Sequence, residues 1–324
     1  MVTPAATVST ASAATSMPAA VSSSSGAPSH TTVAARVRAQ PAGRVWLITG
    51  ASRGLGRAFA EAALAAGDRV VALSRTVGAM DDLAAAHRDR LLAFSLDITD
   101  RAAVFAAVAE AVARYGRLDI VVNNAGFLTL GMVEEFTEEQ ARAQFEVNLF
   151  GALWVSQAVL PTLREQGSGH IVQISSVGAL AGHPLTGLYS ASKFALEGMS
   201  EALAAEAAEF GVRLTIVEPG GYWTDLYTTG LVAAEPQPQY ARLRAELERR
   251  FAEDSVDSPP DLAARALLAL VDAEDPPLRL LLGSTVYDLA FEVSRQRMAT
   301  WAAWEEVSRA AERAVPAPGR ATAP

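Results

Sequence analysis

The chain of 324 residues contains no cysteine, which excludes disulfides, thiol nucleophiles and cysteine-ligated metals, and leaves the compartment unreadable from redox chemistry. Histidine is scarce. His30, His87, His170 and His183 show no metal-ligand spacing, so surface or packing roles are expected and no metal is assigned. Positive charge is in deficit: 27 Lys and Arg face 36 Asp and Glu, a formal net charge of −9. That balance argues against a nucleic-acid-binding surface and for an ordinary soluble, cytoplasmic protein. No run of 18 or more mostly apolar residues offers a membrane span.

The first 42 residues lack acids and nearly all large apolar side chains. Such an Ala/Ser/Thr/Pro-rich stretch buries too little surface to offset its ordering entropy, so a disordered extension is expected. Arg36, Arg38 and Arg44 give its end a faint resemblance to an organelle transit peptide, but a basic start and an apolar h-region are missing. A dispensable extension or mis-assigned start is the preferred reading. Residues 316–324 are expected to be a flexible tail, leaving 43–315 as one domain.

What is present is a 50% hydrophobic composition, enough for a sizeable core, and alternating strand and helix patterns. Strands are expected at 44–49, 69–73, 91–96, 118–122, 169–175, 212–217 and 278–282. Helices are expected at 54–66, 79–88, 100–115, 137–165, 188–210 and 259–273. Most strands read as near-continuous apolar runs, the pattern of a parallel sheet covered on both faces. The fold class is therefore α/β: a doubly wound, seven-stranded, Rossmann-like single domain. A helical lid is expected at about 226–251, and a long helix at about 284–313 carrying Phe291, Met298, Trp301 and Trp304, an apolar set that suits packing against the domain or another subunit.

Two stretches carry chemistry. The first, Ser176 through Tyr189 to Lys193, places a hydroxyl, a phenol and an ammonium at a spacing useful for carbonyl chemistry. With Tyr189 opening a helix, Lys193 at i+4 shares its face and would favour the ionised phenol, lowering its pKa toward working pH. The second is the apolar strand 45–49 running into Gly50, Gly54 and Gly56 and then a helical pattern. Glycines permit a tight turn and close backbone approach, and the helix N-terminus offers N–H groups to a pyrophosphate.

Together with Asp97-Ile98-Thr99, Asn123-Asn124-Ala125-Gly126, Asn148, Pro219-Gly220 and Thr224, these stretches make the chain resemble the short-chain dehydrogenase/reductase family in its single-domain branch. The motifs span roughly residues 43 to 226. Ser176 is preferred to Ser175 because it stands 13 residues before Tyr189, the family's spacing.

The resemblance implies an NADP(H)-dependent oxidoreductase interconverting a ketone or aldehyde and an alcohol. Hydride passes to the carbonyl carbon while Tyr189 donates a proton to its oxygen, Ser176 orients that oxygen, and Lys193 tunes Tyr189 and binds the nicotinamide ribose. Asn148 completes the catalytic set, its carbonyl holding a relay water. The implied cofactor contacts are Gly50, Ser52, Arg53, Gly54, Leu55, Gly56, Ser74, Arg75, Asp97, Ile98, Asn124, Ala125, Gly126, Tyr189, Lys193, Pro219, Gly220 and Thr224. Asp97 would meet the adenine amino group, with Asp97 or Thr99 as a helix cap in the alternative reading. Where an NAD enzyme usually carries an acid, the chain has Ser74 followed by Arg75, and Arg53 is a second cation, so NADP is favoured over NAD. Phe127, Val177, His183 and Tyr222 are the substrate-pocket candidates, a mostly apolar set suited to a hydrophobic carbonyl. The resemblance further implies a homodimer or homotetramer. Two alternatives are a non-catalytic NADP(H) sensor and an epimerase or dehydratase of the extended branch, which fit the glycine pattern and the full Ser-Tyr-Lys set less well.

Overall fold

In the computed structural model, residues 43–254 and 256–312 are described; the extension 1–42 and the tail 316–324 lie outside them. Seven parallel strands form the central sheet: β1 (Val45–Thr49), β2 (Arg69–Ser74), β3 (Leu91–Ser95), β4 (Ile120–Asn123), β5 (Gly169–Ile174), β6 (Val212–Pro219) and β7 (Arg279–Leu282). Their order across the sheet is β7-β6-β5-β4-β1-β2-β3. The chain winds outward in both directions from β1 and β4, leaving a crevice at their carboxyl ends, where open α/β sheets bind ligands.

The continuous apolar strands are explained by two cores. On β1, Trp46 and Ile48 join the cluster containing Phe59, Leu64, Leu267 and Leu270, whereas Val45 and Leu47 join Val104, Val108, Val155 and Leu203. Helices α1 (Gly54–Ala65) and α8 (Pro260–Asp272) thus cover one face, and α3 (Arg101–Tyr115), α5 (Ala152–Gln166) and α6 (Gly187–Ala208) the other. With side chains alternating along each strand, both sides must be apolar. Two further helices complete this order: the short α2 (Asp81–Ala86) and α4 (Glu138–Phe145).

Two expectations are corrected. The single helix expected at 137–165 is interrupted between α4 and α5 by a π-helical turn, Glu146–Gly151. Side-chain bonds from Asn148 to Phe127 and Ser192 pin this wider turn, and Gly151 lies so close to Ile98 that a Cβ would come within 2.9 Å. The stretch expected as a helical lid is α-helical only in α7 (Ala241–Asp254), with 3₁₀ turns at Asp225–Tyr227 and Pro238–Tyr240; between those turns, Leu231–Ala233 pairs in parallel with Leu128–Leu130. Arg44, the first residue of the first expected strand, stands directly before β1. It is buried, paired with Asp68 at 3.1 Å and Asp272 at 2.7 Å, while Asp68 also accepts from the Trp46 indole at 2.8 Å. The end of the chain forms α9 (Ser284–Ala303) and the short α10 (Glu305–Ala310). Phe291, Met298, Trp301 and Trp304 are all exposed, so among the described residues this face is not packed against the sheet domain.

Candidate active site

The β1 turn is held by hydroxyl and amide bonds. Thr49 Oγ1 accepts from the backbone N–H groups of Asn124 and Ala125, both at 2.9 Å, and Asn124 Nδ2 donates to the Thr49 carbonyl at 2.9 Å. These bonds clamp the end of β4 onto the end of β1. Gly50 and Gly54 adopt left-handed backbone (φ +64° and +55°), and a Cβ on Gly56 would lie 2.3 Å from the Gly50 carbonyl oxygen. Only glycine fits there.

The residues present fit a dinucleotide. Arg53, at the N-cap of α1, makes no side-chain cap, and the first turn of the helix carries no acid, so its leading N–H groups are available to a pyrophosphate. Thr224, capping a short turn after β6, stands over Gly54; a Cβ there would meet its side chain at 3.3 Å. Pro219 ends β6, and Gly220 donates to the Leu282 carbonyl at 3.1 Å, which holds this loop at the same carboxyl edge. Ser74 at the end of β2 donates to Ser52 in the glycine-rich turn at 2.8 Å. Arg75 adjoins them, and Arg53 bonds the Thr229 hydroxyl. Asp97 folds back on Thr99, accepting from its N–H and hydroxyl at 2.9 and 2.8 Å, with its carboxyl held below the usual range chiefly by that backbone bond. The cap of α3 is neither of these residues but Asp100, which accepts from the Ala103 N–H at 3.0 Å.

Ser176, Tyr189 and Lys193 converge at the end of β5. Ser176 Oγ accepts from the Gly178 N–H at 3.0 Å and is hydrogen-bonded to the Tyr189 phenol. Gly178 also leaves room for the ring, since a Cβ would stand 3.2 Å from it. Lys193 is buried; its Nζ donates to the Ile174 carbonyl at 2.8 Å and lies 5.8 Å from the Tyr189 ring centre. The expected lowering of the Tyr189 pKa is not what the geometry gives. Burial pushes it up to about 12, opposed by the Ser176 bond. The same burial lowers Lys193 to about 8, opposed by the charge of Glu197. In this pocket desolvation decides the direction for both groups, and the ammonium's hydrogen bond goes to a carbonyl, not to the phenol.

Asn148 is buried within the π-helical turn. Its amide donates to the Phe127 carbonyl and Ser192 Oγ, both at 3.1 Å, and accepts from the Phe127 N–H at 3.1 Å. The side chain is thereby satisfied, and it lies beside Gly126, where a Cβ would meet its oxygen at 3.2 Å and Lys193 Nζ at 3.7 Å. Of the substrate candidates, Phe127 and Val177 adjoin this region, half-buried. His183 is exposed, and Tyr222 is buried, a member of the core cluster that holds Val217 and Leu267. Tyr227, not singled out in the sequence, is near enough to Tyr189 to disfavour its ionisation. Thr49, Gly178 and Ser192 were also missed. Thr49 alone had a local signal, a hydroxyl closing an apolar strand before the first glycine.

A sequence profile described as short chain dehydrogenase matches residues 44–230. The oxidoreductase BOA17 of Botryotinia fuckeliana is 39% identical over 270 residues, 82% of this chain and 98% of that protein. A 3-ketodihydrosphingosine reductase of Bacteroides thetaiotaomicron is 32% identical, covering 75% of this chain and 89% of its own. Among solved structures, a short-chain dehydrogenase from Streptomyces avermitilis superposes with a TM-score of 0.79 at 42% identity, over 84% of this chain and all of that one. An alcohol dehydrogenase from Thermococcus sibiricus complexed with 5-hydroxy-NADP gives a TM-score of 0.62 at 26% identity, over 74% and 95% of the two chains. The chain belongs to the short-chain dehydrogenase family, and it is an oxidoreductase of that type.

Proposed function

We propose that the protein is an NADP(H)-dependent reductase of a hydrophobic ketone or aldehyde, working in reverse as an alcohol dehydrogenase. The observation that carries this reading is the convergence of Ser176, Tyr189 and Lys193 at the carboxyl edge of the sheet, beside a glycine turn that admits a dinucleotide. Hydride is what the bound cofactor supplies. Tyr189, protonated throughout the working range because burial pushes its pKa up to about 12, gives the proton to the carbonyl oxygen. Ser176 donates a second bond to the same oxygen, and Lys193 supplies positive charge beneath the phenol. Ser74 in place of an acid, together with Arg75 and Arg53, favours the 2′-phosphate. The complex of the Thermococcus sibiricus neighbour with 5-hydroxy-NADP supports that preference.

Half-buried Phe127 and Val177 support an apolar substrate, and the name of the Bacteroides relative points to a ketone. Pairing of copies through α5 and α6 belongs to the same reading; Phe194 on α6 is exposed, and Phe150 stacks on Trp154 with ring centres 6.0 Å apart. The test is oxidation of NADPH and NADH against hydrophobic ketones and aldehydes, with Tyr189→Phe alongside. NADPH-dependent turnover should fall about 10³-fold in the variant, the range of a lost general acid. Undiminished turnover would overturn the assignment.

A further inference from the structure

Behind the catalytic set lies a second cluster of charge. Glu197 stands one helical turn beyond Lys193 on α6 and is buried. Its Oε1 accepts from Ser175 Oγ at 2.5 Å, and its Oε2 pairs with Arg279 Nη2 on β7 at 3.2 Å. Arg279 also pairs with Glu201 of α6, and its Nε lies 3.2 Å from Glu218 Oε1 at the end of β6. Glu218 is fully buried with neither oxygen accepting a hydrogen bond; burial, then the charge of Glu197, push it up to about 7 against the pull of Arg279.

The position of Ser175 makes this cluster relevant to the reaction. On its one side Ile174 offers the carbonyl that receives Lys193; on the other Ser176 bonds the phenol. Its own N–H is fixed to the Val217 carbonyl at 2.7 Å, leaving the hydroxyl as the remaining handle on this strand end. Resting on the reductase reading above, we propose that Glu197 is a positioning residue: through Ser175 and Arg279 it sets the strand end that presents Ile174 to Lys193 and Ser176 to Tyr189. Its charge acts on Lys193 from the same helix face. Glu218 and Glu201 share the Arg279 guanidinium with Glu197, so five ionisable groups, Lys193, Glu197, Glu201, Glu218 and Arg279, lie together behind the catalytic set.

The purified full chain is compared with Glu197→Gln, Glu197→Ala, Ser175→Ala and the double Ser175→Ala/Glu197→Ala. Glu197→Ala and Ser175→Ala should each lower kcat about tenfold, and the double about tenfold again in total instead of a hundredfold, since both remove one interaction. KM for NADPH should stay within about twofold. Glu197→Gln keeps an amide oxygen to accept from Ser175, so its plateau kcat should recover, while the alkaline limb set by Lys193 moves to lower pH. A merely structural carboxylate would not move that limb. An unchanged kcat in folded Glu197→Ala, or a hundredfold loss in the double variant, overturns the proposal. Should Glu197→Ala fail to fold, an unmoved limb in Glu197→Gln does so. If the wild type binds NADPH but reduces no carbonyl, the reductase reading has failed and crystal structures decide this proposal separately. Lys193 Nζ kept on the Ile174 carbonyl in Ser175→Ala and Glu197→Ala would then sink it.

Discussion

Gly56 shows how a single absent methyl shapes the dinucleotide turn. A Cβ there would lie 2.3 Å from the Gly50 carbonyl and 2.5 Å from Asn124 Nδ2, so Gly56→Ala must push backbone against backbone. The expected loss is about 3 kcal/mol of stability, at the upper end for overpacking, with NADPH binding weakened as well; denaturant midpoints and fluorescence titration check both. Lys193 offers a different residue-scale prediction. Its folded-state pKa is lowered to about 8, mainly by burial, so the ammonium is present below that pH and lost above it. Carbonyl reduction should therefore fall along a one-proton limb as pH rises through about 8. A profile flat to pH 10 would show that the ammonium is dispensable. The catalytic residue types were readable because tyrosine and lysine four apart on a helix must share a face. The sign of the tyrosine shift was not, since it depends on burial, and burial belongs to the packed structure.

Elements were legible where hydrophobic pattern alone decides them. All seven strands of the sheet fall within a few residues of the sequence reading, because strands covered on both faces must be continuously apolar. The π-helical turn was invisible for the opposite reason. Its cause is a set of long-range bonds from Asn148 to Phe127 and Ser192, which no local periodicity records. The short pairing of Leu128–Leu130 with Leu231–Ala233 likewise depends on where a distant loop lands. At Arg44 the edge of the first strand was legible but its partners were not, because Asp68 and Asp272 lie far along the chain. Asp68 joins the starts of β1 and β2, accepting from the Arg44 backbone N–H, the Arg44 guanidinium and the Trp46 indole. Asp68→Ala would leave these buried donors short of a partner. We expect it to cost about 3 kcal/mol, as for a broken buried ion pair, read from chemical denaturation; a loss within error would mean that the other partners of Arg44, Asp272 among them, suffice.

At the scale of the whole molecule, three buried or anchored groups set how stability should vary with acidity. His170, buried on β5, has its pKa lowered to about 3, first by burial and then by Arg213. Thr215 Oγ1 donates to the Pro277 carbonyl at 2.7 Å, so His170 Nε2, 3.0 Å away, is the donor to that hydroxyl and the ring is neutral. Because its folded pKa is depressed, its contribution is complete above the unfolded value of about 6.5 and is lost as pH falls toward about 3. Glu135 acts in the same direction. It accepts from the Met132 and Gln237 N–H groups at 2.7 and 2.8 Å and pairs with Arg244 of α7, and the Arg244 bond above all lowers it to about 2. Its contribution is therefore lost between about pH 4.5 and 2. Glu218 works the other way: raised to about 7, it stabilises the fold as it takes up a proton, fully so below about 4.5. Between about 4.5 and 6.5 the gain at Glu218 opposes the loss at His170, whereas below 4.5 nothing in this set opposes His170 and Glu135. Thermal midpoints should accordingly change little from pH 7 to 5 and drop steeply below. Glu218→Gln should expose the His170 loss, with the midpoint falling from about pH 6.5 downward, and His170→Gln should let it rise from pH 7 to 5. If both variants kept the wild-type profile, neither group would be perturbed as its burial requires, and the acid limb would have to come from the surface carboxylates alone.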